Sequence, residues 1–131
     1  MRWLEQQRYN MPKNDLIRLQ HMLDAAKEAV ELAVGKSRHD IESERMLNLS
    51  LVRLIEVVGE AANRVSLEGQ AKYASIPWLQ IIGMRNRLIH GYDNVDFDIL
   101  YQTVIEDLPY LIAELEKTLA SEKRDSSRSL S

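Results

Sequence analysis

Leu47-Asn48-Leu49-Ser50-Leu51-Val52-Arg53-Leu54-Ile55-Glu56-Val57-Val58-Gly59-Glu60-Ala61-Ala62-Asn63-Arg64-Val65 decides the fold class. Leu47, Leu51, Leu54, Val58, Ala61 and Val65 recur at alternating steps of four and three, which is the spacing of one helix face. Val52, Ile55 and Ala62 widen that face, as expected for a helix that touches more than one neighbour. The pattern predicts a helix from about His39 to Val65.

The same period extends outward in both directions. Leu16, Leu19, Leu23, Ala26, Val30 and Ala33 form a stripe that predicts a helix from an Asn14 cap to about Val34, with Gly35 as its stop. Leu67 to Tyr73, with Gly69 inside it, reads as a break or short turn. Ser75-Ile76-Pro77 opens a third helix, since proline is tolerated in a first turn, and Trp78 anchors its packing. This helix is expected to run to His90 and to stop at Gly91. Phe97, Leu100, Val104, Leu108, Leu111 and Leu115 mark a fourth helix to Leu119, kinked by Pro109 after Asp107 or Leu108. No internal repeat and no strand-like alternation is visible. The expectation is all-α: an antiparallel four-helix bundle over residues 14–120. Residues 1–13 read as an N-terminal extension, and the serine-rich, charged stretch 121–131 as a disordered tail.

Composition agrees with one helical domain. The chain has 131 residues, 45% of them hydrophobic, with only 5 Gly and 3 Pro. The absence of cysteine removes disulfides, thiolate metal sites and cysteine nucleophiles, and is compatible with a cytoplasmic setting. No apolar run approaches the ~20 residues that cross a bilayer, and the polar start, with Trp3 and Leu4, does not read as a signal peptide. A formal net charge of −3 argues against indiscriminate nucleic-acid binding but leaves room for a local basic pocket.

Chemistry concentrates in Arg85-Asn86-Arg87-Leu88-Ile89-His90-Gly91-Tyr92. An arginine can hold a phosphate, and a histidine can move a proton near neutral pH. On an ideal helix Asn86 and His90 share a face, whereas Arg85, five before His90, lies off it. Arg85 and His90 converge only if the last turn unwinds or a second chain supplies its own copy. An RNA 2′-hydroxyl could then attack its neighbouring phosphate. His90 would serve as general base or acid, Arg85 would stabilise charge on the phosphate oxygens, and Asn86 and Arg87 would support them. This chemistry needs neither metal nor other cofactor. A histidine at a helix end is also favoured in its charged form.

This stretch resembles the R-x4-H-x-Y motif of the HepT-like toxins in the HEPN superfamily. Val58-Gly59-Glu60-Ala61-Ala62, Ile76-Pro77-Trp78 and Asp107-Leu108-Pro109 are similar to that family's pattern as well, so the resemblance covers about Asn14 to Leu119. It implies a helical bundle that dimerises, with the motifs of two protomers facing one cleft. It further implies a metal-independent endoribonuclease, the toxin of a type VII-like toxin–antitoxin pair. The implied partner is a nucleotidyltransferase antitoxin of the MNT class, which transfers AMP to the motif tyrosine, here Tyr92. An adenylate beside His90 would fill the cleft and repel a substrate phosphate.

Plainer readings compete at each position. His90 alone reads as a helix-end residue capping carbonyls. Arg85 could pair with Asp93, Asp96 or Asp98, Arg87 could be a solvated surface arginine, and Tyr92 an ordinary amphipathic residue at a bundle end. Glu60 reads as a surface acid, an arginine's partner or a dimer contact; His21 and His39 read as solvated. The competing function is a non-catalytic helical module that regulates a partner nucleotidyltransferase.

Overall fold

The computed structural model describes residues 2–91 and 94–130, with side chains from 14 to 91 and from 94 to 127. It is all-α apart from one two-residue strand pair. Helix α1 (Arg2–Leu32) is the central rod, and α3 (Arg45–Asn63) and α8 (Leu108–Leu130) pack along it. Leu19, Met22, Ala26 and Ala29 of α1 are fully buried. They meet Leu51, Ile55, Val58 and Ala62 of α3 and Leu108, Leu111 and Leu115 of α8, each almost inaccessible. Full burial of one such aliphatic side chain contributes about 1.5–3 kcal/mol, so this seam is the main stabilising term. No helix among the described residues is long and apolar enough to cross a membrane.

The buried face of α3 is turned slightly from the expected one. Leu51 and Val58 lie on it as expected, but Ile55 and Ala62 are its other fully buried members, while Leu47 and Leu54 are only partly covered. The predicted helix from His39 to Val65 is also divided, into α2 (Arg38–Ser43) and α3, by an extended Glu44. Two local signals cause the division. Ser37 and Asp40 form a reciprocal capping box that starts α2. Asn48 Nδ2 donates to the carbonyls of Ile41 (3.1 Å) and Glu42 (3.3 Å), satisfying the end of α2 from within α3.

Both ends of the chain differ from expectation. Helix α1 continues N-terminally of Asn14 as far as Arg2, so Asn14 is an interior helical position and not a cap. Arg2, Leu4, Glu5, Gln6, Gln7 and Arg8 are all good helix formers. The serine-rich tail, expected to be disordered, is helical to Leu130. Leu119 packs on the core, and Glu122 pairs with Lys72 at 2.9 Å, carrying the helix past its predicted end. That contact holds the Glu122 carboxyl below its usual range and the Lys72 ammonium above its own.

The last helical unit bends where Pro109 demands it. Helix α7 (Phe97–Gln102) runs through a π-helical turn (Thr103–Asp107) into α8. In that turn Leu108 donates to the Thr103 carbonyl, five residues back. Widening the coil just before Pro109 accommodates a residue that cannot donate and whose ring crowds the preceding turn. In place of the expected kink after Asp107 or Leu108, the departure from α-helix is a π turn that ends at Asp107.

The third element departs most. A single helix to His90 is replaced by two one-turn helices, α5 (Trp78–Ile82) and α6 (Met84–Leu88), separated at Gly83. The arrangement is three long rods with one segmented element, not four equal helices. Trp78 does anchor it, 7% exposed, with its Nε1 donating to the Tyr73 carbonyl at 3.1 Å. Ser75 does not cap α5; Pro77 occupies that position.

The predicted break after Val65 holds a further short helix, α4 (Leu67–Lys72), capped by Ser66. Asp15 of α1 is 7% exposed and accepts from the Ser66 backbone N–H and hydroxyl. Gly69 is required beside it, since a Cβ there would sit 2.5 Å from the Asp15 carboxylate. Asp15→Ala strips two donors of a charged acceptor in a covered position and should lower stability by about 2–3 kcal/mol. Urea denaturation measures it; a loss below about 0.5 kcal/mol would contradict the role given to this contact.

Candidate active site

Helix α6 stops at Leu88, two residues before its predicted end, because Ile89 adopts extended angles (φ −114°, ψ 119°). Ile89–His90 forms strand β1, which pairs antiparallel with β2 (Asn94–Val95), Ile89 opposite Val95 and His90 opposite Asn94. The Asp96 N–H donates to the Leu88 carbonyl at 2.8 Å and closes the base of this ladder. Gly91 takes φ +80°, the left-handed conformation that glycine adopts at little cost, as its place after the helix predicted. Tyr92 and Asp93 lie outside the described residues.

These facts revise the expected geometry. His90 is not on a helix, so it does not share a helical face with Asn86, and the helix-dipole argument for its charge falls away. The unwinding that convergence of Arg85 and His90 within one chain required does occur, beginning at Ile89 and not at Gly91. His90 is exposed on β1.

Arg85 is drawn toward α3. Its Nε lies 3.3 Å from Glu56 Oε1. Glu56 also pairs with Arg53 at 3.5 Å, and Arg53 in turn reaches Glu60 at 3.6 Å. Glu60 is thus an arginine's partner, one of its plainer readings. Two of the anticipated partners of Arg85 are engaged elsewhere, and the third, Asp93, lies outside the described residues: Asp98 pairs with Arg38, and Asp96 caps α7 by accepting from the N–H groups of Asp98 and Ile99. With Nε on Glu56, the two terminal nitrogens of Arg85 remain suited to a bidentate phosphate contact.

Two concavities meet at Arg85. One, of about 210 Å³, lies between α3 and the β1–β2 pair, with Asn48, Val52, Glu56, Ile89 and Val95 around it. The other, of about 160 Å³, contains Glu56, Gly59, Asn63 and Asn86. Arg85 and Glu56 line both; Asn86 joins Arg85 in the second; His90 and Arg87 line neither. Arg87 reaches back to α5, donating to the Gln80 carbonyl at 2.8 Å. Its charge is felt by Asp107, whose carboxyl partial desolvation lifts above its usual range while Arg87 opposes the shift.

Glu56 is the residue the sequence did not single out. It sits among apolar neighbours on the partly covered flank of α3, and its link to Arg85 spans 29 positions, beyond any helical spacing rule. An acid on that flank, beside Arg53, was the available signal.

The family described as "Ribonuclease HepT-like" matches residues 22–118. Among similar proteins, "Putative RNase TTE0752" of Caldanaerobacter subterraneus subsp. tengcongensis is 32% identical over 80% of this chain and 94% of its own. "Probable ribonuclease HepT" of Thermococcus cleftensis is 32% identical over 72% of this chain and 90% of its own. No solved structure matches the chain. The match of the family over most of the chain, from α1 to α8, means that the chain belongs to the HepT-like ribonucleases of the HEPN superfamily.

Proposed function

We propose that the chain is a homodimeric, metal-independent endoribonuclease acting as a toxin, silenced by a nucleotidyltransferase antitoxin that adenylylates Tyr92. The observation that carries this reading is Arg85, held through Nε by Glu56 where two concavities meet. A surface ion pair of this kind adds little stability, so its value is in fixing where the guanidinium points.

The reaction needs an attacking 2′-hydroxyl, a proton acceptor and charge stabilisation on the phosphate. His90 takes the 2′-hydroxyl proton as the O2′–P bond forms. Arg85 stabilises the extra negative charge on the phosphate oxygens, the P–O5′ bond breaks, and the 5′ oxygen receives a proton from the imidazolium. The products are a 2′,3′-cyclic phosphate and a 5′-hydroxyl. Asn86, on the same concavity as Arg85, orients the phosphate, and Arg87 holds the motif against α5 through the Gln80 carbonyl.

The different neighbours of Arg85 and His90 support the dimer in this reading. One faces α3 and the other stands on exposed β1, so a composite site from two copies is the direct way to bring an arginine and a histidine to one phosphate. The exposed apolar residues Met46 (84%) and Leu49 (47%) on α3 flank this region and supply a contact. Adenylylation of Tyr92, two residues after His90, places a bulky anion where the phosphate must bind.

Purified chain with EDTA should cut RNA and leave cyclic phosphate ends, and His90→Ala should lower the rate about 10²–10⁴-fold without loss of helicity. Intact RNA and an unmodified mass would favour instead the non-catalytic module that regulates a nucleotidyltransferase. Glu56→Gln should lower kcat about tenfold by loosening Arg85, with a smaller change in KM; an unchanged kcat would remove Glu56 from the site. Sedimentation at micromolar concentration should show a dimer, weakened by Leu49→Glu. A wild-type monomer would end the composite-site argument.

A further inference from the structure

The ladder that carries His90 is too short to hold itself. An isolated pair of strands is marginal in water, and this one has two residues on each side. What fixes it must come from the elements at its base. Those are the end of α6, one turn long, and the start of α7.

Asp96 joins the two. Its N–H donates to the Leu88 carbonyl at 2.8 Å and closes the ladder two residues before His90 on the facing strand. Its Oδ1 accepts from the N–H groups of Asp98 and Ile99, both at 3.1 Å, and its carbonyl accepts from the Leu100 N–H at 2.9 Å. A capping side chain holds its own residue in extended backbone, here φ −82° and ψ 102°. At those angles the Asp96 N–H meets Leu88 while its carbonyl starts the helix. The frame behind Asp96 is firm. Leu100 is fully buried, and Phe97 packs against the core. Asp98 pairs with Arg38, which also holds Glu42 at 2.7 Å, so the start of α7 is fastened to α2.

We propose that Asp96 is a positioning residue for the ribonuclease reaction: by capping α7 it fixes the base of the β1–β2 ladder, and through the ladder the place of His90. The proposal rests on the proton-transfer role given to His90 above. Asp96 acts through the backbone and not through its charge. The cap needs an acceptor, and asparagine serves there about as well as aspartate. Since the effect is on orientation, it falls on kcat more than on KM.

The test measures RNA cleavage and backbone amide exchange on the full chain, with Asp96→Ala beside Asp96→Asn. In Asp96→Ala, kcat should fall about ten- to a hundredfold with KM little changed, and the amide at position 96 should exchange about tenfold faster. Asp96→Asn should restore both. A cap that serves α7 alone would speed exchange at Asp98 and Ile99 but leave kcat and the amide at position 96 unchanged, and that result would overturn the proposal. So would Asp96→Asn cleaving as slowly as Asp96→Ala, which would assign the effect to charge. Should Asp96→Ala lose helicity, Asp96→Gly, which disturbs a helix start little, takes its place with the same expectations. A wild type that leaves RNA uncut would sink the ribonuclease reading, while exchange at position 96 would still decide whether Asp96 holds the ladder.

Discussion

The contact of α1 with α3 is the constraint on which the rest of the molecule depends. Ala25, Ala26, Ala29 and Ala33 put small side chains along the covered side of α1, so neighbouring backbones can approach closely. Leu51, Ile55 and Val58 fill the seam from α3, and Leu108, Leu111 and Leu115 close it from α8. A close-packed seam of this kind cannot turn by a few degrees without opening voids. The rotation of α3 is fixed by its buried face, and the flank beside that face is fixed with it. Asn48 lies at the covered margin of that flank, and Val52 and Glu56 lie on its half-buried part.

Site geometry is therefore inherited from the core. Glu56 is held by a helix whose other side is solid packing, and it draws Arg85 against α3 through a 3.3 Å contact. Helix α6 has one turn and could not by itself aim a long, flexible side chain. The ladder from Leu88 to Asp96 completes the arrangement by lifting His90 out of the helical path. The two groups with obvious chemistry are thus governed by different neighbours: Arg85 by the core through α3, and His90 by a two-residue strand pair at the edge.

How much of this could be read from the sequence depends on the range of the interaction. The three long stripes were legible because apolar spacing reports burial directly; Leu100, Val104, Leu108, Leu111 and Leu115 are all buried, as their spacing predicts. Gly35 and Gly91 were legible because both take positive φ, +74° and +80°. Terminations set by competing hydrogen bonds were not. Periodicity runs straight through Glu44, where Asn48 and the capping box interrupt the helix, and through Ile89, where pairing with Val95 takes over. The motif itself stood out, but Glu56 did not, since nothing local ties it to Arg85. The serine-rich tail misled for a related reason: its composition is that of disordered chain, while the anchor at Glu122 is a tertiary contact with Lys72.

One consequence concerns the number of chains the chemistry needs. Within one protomer Arg85 is tethered to α3, and releasing it toward its own His90 would forfeit the Glu56 contact that orients it. In the proposed homodimer a second protomer would remove that conflict, each arginine keeping its tether while meeting the partner's histidine. The energetic cost falls on association rather than on distortion of α6, and exposed Met46 and Leu49 provide apolar area to offset it. Under the proposed silencing, a bulky anion two residues from His90 would repel a substrate phosphate that Arg85, tethered to Glu56, could not move to meet.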